Sequence, residues 1–299
     1  MKNIGYVGLG KMGLNMVGRL LKKDYQVVVY DPSEEVRKKA DTLGAVSVTS
    51  LEELAKKLVA PRTVWLMVPH QVVDAVLQEL VPFLEAGDTI IDGGNSPYKE
   101  SMRRAKELGG HGLSFVDVGV SGGPQGAADG ACLMIGGERS VYEKYEDLWQ
   151  DIATEDGYGY MGVSGAGHFV KMVHNGIEYG MMQALGEGFE VLKKSNFQLD
   201  LQEVARVYNK QSVITSRLTE WLENAFTQYG TNLTDISGSI AQSGEGLWTL
   251  DAARELGVPV PIIEGAVDFR KQSEHHPSFT GKIVSALRNQ FGGHEVTNK

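Results

Sequence analysis

The stretch that most constrains the fold is Gly8-Leu9-Gly10-Lys11-Met12-Gly13, which lies between two patterned runs. Ahead of it, Ile4-Gly5-Tyr6-Val7 reads as a short strand, and behind it Met12 to Leu21 repeats apolar residues at helical spacing. Three glycines at this spacing between a strand and a helix permit a tight turn, close approach of backbone to a pyrophosphate, and close helix–strand packing. Gln26 to Tyr30 is a second strand, and it ends in Asp31. A carboxylate there can accept hydrogen bonds from both ribose hydroxyls of NAD and would repel the 2′-phosphate of NADP. Asp31 before Pro32 also reads as a turn signal. The frame implies a dinucleotide site at Gly8, Leu9, Gly10, Lys11, Met12, Gly13 and Asp31, with NAD as the cofactor.

The alternation continues along the first half. Ser33–Leu43 and Leu51–Leu58 read as helices, and Thr63–Val68 as a buried strand leading into Pro69-His70. Val72–Leu84 is helical, Thr89–Ile91 is a strand running into Asp92-Gly-Gly-Asn95-Ser96, and Lys99–Leu108 is helical again. Phe115–Val120 is a strand entering Ser121-Gly122-Gly123-Pro124. Repeated strand–helix units predict a doubly wound, mainly parallel sheet of Rossmann type, which binds ligands beyond the carboxyl ends of its strands. Val68, Pro69, His70, Asn95, Ser121, Gly122 and Gly123 all fall at such ends; Gly93 and Gly94 read equally well as turn residues. Ala131–Ile135 is a further strand, Val141–Ile152 a helix, and Cys132, in an apolar run, reads as a core residue.

Composition narrows the function classes. With 299 residues the chain can hold two domains, and 42% hydrophobic with 22% charged residues describes a globular protein. A formal net charge of -9 argues against nucleic-acid or anionic-membrane partners, so an anionic substrate must be met by a few local cations. One cysteine excludes an internal disulfide framework and offers no metal cluster; no metal is expected. The N-terminus lacks the pattern of a signal peptide and no apolar run is long enough to span a bilayer, so a cytoplasmic protein is expected.

Gly157–Gly167 is rich in glycine and poor in charge, which divides the chain into residues 1–164 and 165–299. Beyond it strand signals nearly vanish. Helical patterns cover 168–194, 201–229, 246–256 and 261–272, with an amphipathic segment over 279–290; the second domain is predicted to be all-helical. Its first helix carries Lys171, His174, Asn175 and Glu178 at positions three, four and seven apart, hence on one face. That stripe reads either as a solvated face or, at the junction of the two domains, as a set aimed at the reacting end of a cofactor.

Together, Gly8–Gly13, Asp117-Val-Gly-Val-Ser-Gly-Gly123 and the lysine helix resemble the β-hydroxyacid dehydrogenase superfamily. Within it, Gly167-His-Phe-Val-Lys171-Met-Val-His-Asn-Gly-Ile-Glu178-Tyr179 and Arg288-Asn-Gln-Phe-Gly-Gly-His294 are similar to signatures of the 6-phosphogluconate dehydrogenases. The resemblance covers essentially the whole chain and is to a short form of that family. It implies Lys171 as general base and acid and Glu178 as the residue that protonates the product carbon. It further implies substrate contacts from Asn95, Ser121, Gly122, Gly123, His174, Asn175 and Tyr179. Arg270 matches a phosphate-binding arginine. Arg288 and His294 match tail residues that reach the neighbouring subunit's site, so a homo-oligomer, dimer or tetramer, is implied. Two departures stand out: basic residues of the long form are replaced at Ser243 and Leu247. Asp31-Pro32-Ser33 departs from the Asn-Arg-Thr of NADP-type members in the direction of NAD.

The reaction implied is oxidative decarboxylation of 6-phosphogluconate to ribulose 5-phosphate, CO2 and NADH. A second reading is a dehydrogenase of the 3-hydroxyisobutyrate type, which needs neither Glu178 nor a phosphate cluster. A third is a dinucleotide-sensing protein without turnover, which needs neither Lys171 nor Glu178.

Overall fold

The computed structural model describes residues 2–240, 244–293 and 296. The chain divides into two compact units, Met1–Lys171 and Met172–Lys299.

The first unit is built on one eight-stranded sheet. Its strands are β1 (Asn3–Val7), β2 (Gln26–Tyr30), β3 (Val46–Ser47), β4 (Thr63–Leu66), β5 (Thr89–Asp92), β6 (Ser114–Ser121), β7 (Ala131–Gly136) and β8 (Ala153–Gly162). The order is β3-β2-β1-β4-β5-β6-β7-β8, parallel throughout except for β6 against β7. Helices cover both faces, as the strands require. Successive side chains point to opposite faces, and Ile4, Tyr6, Val27, Val29, Trp65, Ile91 and Val116 join one buried cluster. Their neighbours Val7, Val28, Val64, Leu66, Ile90 and Phe115 join the other. A strand apolar on both sides must be covered on both sides, which is the reason the fold is doubly wound.

The strand order reverses between β1 and β4, so the crevice where such sheets bind ligands lies beyond Val7 and Leu66. The helices on this frame are α1 (Lys11–Lys22), α2 (Glu34–Leu43), α3 (Leu51–Lys57), α4 (Val73–Leu80), α5 (Tyr98–Gly109), α6 (Gly123–Asp129), α7 (Arg139–Lys144) and α8 (Glu146–Ile152). Only the short α6 separates β6 from β7. A parallel partner needs a crossover of about a dozen residues or more, so β7 returns antiparallel.

Three expectations are corrected here. The glycine-rich stretch is not simply a linker: β8 runs through most of it as an edge strand on β7. The helix expected over 141–152 is two helices meeting at Tyr145. Cys132 is exposed rather than buried, because it pairs with Ser121 where β6 and β7 leave the core.

The second unit is helical among its described residues. Its elements are the 29-residue α9 (Ala166–Lys194), whose first turns belong to the first unit, then α10 (Leu201–Tyr208), α11 (Arg217–Tyr229), α12 (Glu245–Glu255), α13 (Pro261–Ser273) and α14 (Phe279–Gly292). The periodicity over 201–229 is interrupted between α10 and α11, where Gln211 has a positive φ and the Ser216 hydroxyl caps α11 at Thr219 N–H. Met182, Phe189, Leu222, Phe226, Ile283 and Leu287 anchor the main core. No helix of the described residues is long and apolar enough to cross a membrane.

Candidate active site

At the dinucleotide end the three motif glycines serve different purposes. Gly8 follows β1 with φ +95°, and any side chain there would strike the carbonyl of Met67. Gly13, inside α1, faces the carbonyl of Gly8 so closely that only hydrogen fits. Gly10 has open space where a Cβ would stand. Two glycines therefore close the strand–helix packing, and the middle one leaves room above the start of α1, where Lys11 and Met12 make the first turn. That helix end carries partial positive charge and suits a phosphate.

Asp31 leaves β2 with both carboxylate oxygens engaged: one accepts the Leu9 N–H (2.8 Å) and the other the Ser33 N–H (2.9 Å). It thus forms the turn and ties the glycine loop to β2. Each oxygen keeps a second lone pair for a ribose hydroxyl. Arg37 folds back onto the same corner, donating to the carbonyls of Asp31 (2.5 Å) and Pro32 (3.1 Å). These residues fit a dinucleotide.

Val68 and Pro69 follow β4, and His70 opens a short 3-10 turn. Across from them, Asp92-Gly93-Gly94-Asn95-Ser96 leaves β5. Neither Gly93 nor Gly94 has a positive φ; both are glycine because of close approach. A Cβ on Gly93 would enter the Trp65 indole, and one on Gly94 would meet the Val68 carbonyl at 2.7 Å. The two loops are thereby pressed together, with Asn95 at the turn of the second.

Strand β6 organises the other side. Asp117, Gly119 and Ser121 alternate along it and so share one face. Asp117 is fully buried and accepts the N–H groups of Gly165 (2.7 Å) and His168 (2.9 Å), one on each oxygen. A carboxylate from the sheet therefore caps α9, the helix that carries Lys171. Gly119 receives Lys171 itself, since a Cβ there would overlap the lysine's Cβ. Ser121 ends the strand and leads to Gly122 (φ +127°) and Gly123 (φ +64°), which turn the chain into α6. Lys171 is only 9% exposed. His168, also buried, meets the Ser101 hydroxyl through Nδ1 at 2.7 Å, and Phe169 packs edge-on against Tyr98. The start of α9 is thus fixed to β6 and α5.

In the second unit α9 brings His174, Asn175 and Glu178 together. His174 Nδ1 lies 3.1 Å from Asn175 Oδ1 and 3.8 Å from Glu178 Oε2. Tyr179 is buried, with the Arg270 guanidinium stacked 3.3 Å from its ring centre. A Cβ on Gly246 would press on an edge of that ring at 2.5 Å, so α12 packs directly against the tyrosine. Thr249 donates to the Met172 carbonyl (2.8 Å) and leaves room only for glycine at position 176. Leu247 packs into a small apolar cluster with Tyr179, Leu250, Ala266 and Val267, so in this chain the position serves packing. Arg288 is buried within α14. His294 and Ser243 lie outside the described residues.

Nothing in the motif spacing assigns a task to Asp117, Ser101 or Arg104. The one available signal was compositional: Asp117 is a lone carboxylate in the apolar run Phe115-Val-Asp-Val, and a charge on a buried strand must have partners. Among the described residues there is no cluster of three or more His, Cys, Asp or Glu able to hold a metal.

Both halves of the chain match a known family. Residues 3–162 match the model of the NAD binding domain of 6-phosphogluconate dehydrogenase, and residues 167–286 match that of the 6-phosphogluconate dehydrogenase C-terminal domain. Bacillus subtilis YqeC, provisionally named a 6-phosphogluconate dehydrogenase, is 47% identical over 296 residues, covering 99% of both chains. The NAD(+)-dependent, decarboxylating 6-phosphogluconate dehydrogenase of Haloferax volcanii is 42% identical over 298 residues, again 99% of both. The solved Plasmodium falciparum 6-phosphogluconate dehydrogenase superposes with a TM-score of 0.83 at 32% identity, covering 92% of this chain and 62% of that one. A dinucleotide crevice of Rossmann type, the lysine helix capped from β6, and relatives matched from end to end lead to one statement: this chain belongs to the 6-phosphogluconate dehydrogenase family of NAD-binding oxidoreductases.

Proposed function

We propose that the chain oxidatively decarboxylates 6-phospho-D-gluconate to D-ribulose 5-phosphate and CO2, a step of the pentose phosphate pathway, with NAD preferred over NADP. The observation that carries this reading is the buried Lys171 two turns before Glu178 on one helix, α9, whose start is capped by Asp117. Seven residues on a helix bring side chains back to the same face, so a base and an acid can address the two ends of a three-carbon unit.

Bound at the glycine loop, NAD supplies the acceptor for the hydride from C3. Lys171, acting as the neutral amine that a base must be, takes the proton of the C3 hydroxyl. The product is a keto acid whose ketone lies β to the carboxylate. Lys171, now an ammonium, stabilises the ketone oxygen as the C1–C2 bond breaks and CO2 leaves. The enediol is then protonated by Glu178 on the carbon that lost CO2 (C2 of the substrate, C1 of the pentose) while Lys171 takes the proton of the enediol hydroxyl on C3. The proton that Lys171 ends with thus balances the one that Glu178 gives. His174, Asn175, Tyr179, Asn95 and Ser121-Gly122-Gly123 are proposed to contact the substrate. Arg270 and Arg288, with His294, neutralise its phosphate. The preference for NAD is read from Asp31, the residue that follows β2, and the NAD(+)-dependent enzyme of Haloferax volcanii supports it.

Steady-state assay with 6-phosphogluconate tests the proposal. NADH and CO2 should form in equal amounts, NAD should outperform NADP, and Lys171→Ala should abolish both products. NADH without CO2 would favour the 3-hydroxyisobutyrate-type reading, and tight NAD binding without turnover a sensing protein. The assembly is proposed to be a cytoplasmic homo-oligomer whose tail completes the neighbouring site. Mixing inactive Lys171→Ala and Arg288→Ala subunits then restores activity, and restores none if each chain builds its own site.

A further inference from the structure

The first unit holds a buried guanidinium that the proposed chemistry does not use. Arg104, on α5, is 2% exposed. Its Nε donates to Asp74 Oδ1 (2.7 Å) at the start of α4, and its Nη2 to the carbonyl of His70 (3.5 Å). Its Nη1 faces Ser96 Oγ (3.3 Å) and Asp92 Oδ2 (3.5 Å). Asp92, fully buried at the end of β5, in turn accepts the Gly94 N–H (3.1 Å) and the Ser96 hydroxyl (2.8 Å). Asp92 therefore grips the residues on either side of Asn95, while Arg104 holds Asp92, Ser96 and the His70 turn at once.

We infer that Arg104, Asp92 and Ser96 are positioning residues which set Asn95, and with it the His70 loop, against the reacting end of cofactor and substrate; this rests on the reading of Asn95 as a contact. The bland alternative is a core staple. A buried ion pair contributes little net stability compared with apolar packing, whereas a planar fork with several fixed donors specifies geometry. Apart from Asp92, which ends β5, the partners of this fork named above lie in the loops that follow β4 and β5 or in the first turn of α4. Arg104, with Arg103, also holds the Asp74 carboxyl down to about 2, so the fork stays saturated throughout the working pH range. One turn earlier on α5, Ser101 meets His168 of the lysine helix, so one helix braces both Asn95 and the start of α9.

A double-mutant cycle in the full-length enzyme tests this, with kcat, KM for 6-phosphogluconate and thermal midpoint as readouts. Ser96→Ala removes the hydroxyl between Asp92 and Arg104 while leaving the ion pair intact. It should lower kcat/KM about tenfold or more through misplacement of Asn95, with the thermal midpoint lowered only by the few degrees that one buried hydrogen bond is worth. In an Asn95→Ala background the same substitution should have almost no further effect. Arg104→Lys, which keeps the charge but not the fork, should behave likewise; if it fails to fold, the Ser96 cycle decides alone. If Asn95→Ala turns over too slowly, the cycle is read in the dissociation constant of 6-phosphogluconate by calorimetry. Effects that multiply, or a silent Ser96→Ala beside a damaging Asn95→Ala, would overturn the positioning role and leave the proposed chemistry standing. A silent Asn95→Ala would overturn both.

Discussion

Gly119 lies directly beneath Lys171, close enough that a methyl on residue 119 would overlap the lysine's Cβ and crowd its Cγ at 3.0 Å. The backbone at 119 is ordinary strand, so the glycine is there for distance and not for an unusual torsion. Gly167 repeats the device one turn earlier, its Cα pressed against the carbonyls of Asp117 and Met134. The lysine helix therefore approaches β6 closely, and the root of the Lys171 side chain is set by the strand.

Gly119→Ala should accordingly impair chemistry more than binding. The added methyl must push α9 outward, and a displacement of about 1 Å can cost on the order of 100-fold in rate. Overpacking of this kind also destabilises by about 1–3 kcal/mol. Turnover is measured beside NADH affinity by fluorescence titration; affinity should stay within a few fold. An alanine variant with full kcat would show that the contact does not place the amine.

Asp117→Asn removes the charge but keeps the shape. An amide offers one acceptor oxygen where the carboxylate offers two, so one of the Gly165 and His168 N–H groups is left facing an NH2. Losing a charge-assisted bond and stranding a buried donor should cost about 2–3 kcal/mol. Urea titration of the variant reads this as a lower midpoint at unchanged slope. A variant as stable as the parent would mean that α9 needs no cap from the sheet.

The second unit has its own acid-sensitive tie. Glu190, near the end of α9, accepts from Lys194 Nζ (2.6 Å), Thr280 Oγ1 (2.6 Å) and Thr280 N–H (3.0 Å) at the start of α14. The bond from Lys194, then that from the Thr280 hydroxyl, pull its carboxyl down to about 2. A depressed carboxyl contributes stability above its unfolded value of about 4.3, and that contribution is lost as pH falls through the folded value. Stability should therefore drop between about pH 4.5 and 2. Glu190→Gln should flatten this part of the curve and cost about 1–2 kcal/mol at pH 7, after allowance for the exposed Lys194. Thermal melts of both proteins from pH 7 to 3 decide it; parallel curves would rule the tie out.

How far the fold could be read from the chain depended on what each residue type reports. Buried parallel strands such as Thr63–Leu66 and Thr89–Asp92 are apolar on both faces and announce themselves. β8 does not, because an edge strand half in solvent needs no apolar run; its Thr-Glu-Asp-Gly-Tyr-Gly sequence is held by pairing with β7. The Lys171 stripe was legible because helical spacing is local. Its support was not: Asp117, Gly119 and Ser101 reach α9 across dozens of residues, and no local pattern records such a contact. The same holds for Tyr179 and Arg270, which meet only because α13 packs beside α9 in the second unit.

Asp31 gives the sharpest test of cofactor choice, provided its two duties are separated. Alanine there would undo the turn as well as the ribose contact, since both oxygens already accept backbone N–H groups from Leu9 and Ser33. Asparagine retains an oxygen for the Ser33 turn, which Asn and Asp both form readily, and its NH2 then faces the Leu9 N–H, a loss common to both cofactors that cancels in their ratio. It removes the negative charge that a 2′-phosphate would meet, and Arg37, already folded onto the Asp31 and Pro32 carbonyls, becomes the dominant charge at that corner. Asp31→Asn should therefore lower kcat/KM for NAD and raise it for NADP, shifting their ratio by about 10- to 100-fold, or roughly 1.4–2.8 kcal/mol. The shift should shrink at high salt, as expected for an interaction between charges near the surface. Equal losses with both cofactors would mean that Asp31 serves the turn alone, and that the preference for NAD is set elsewhere.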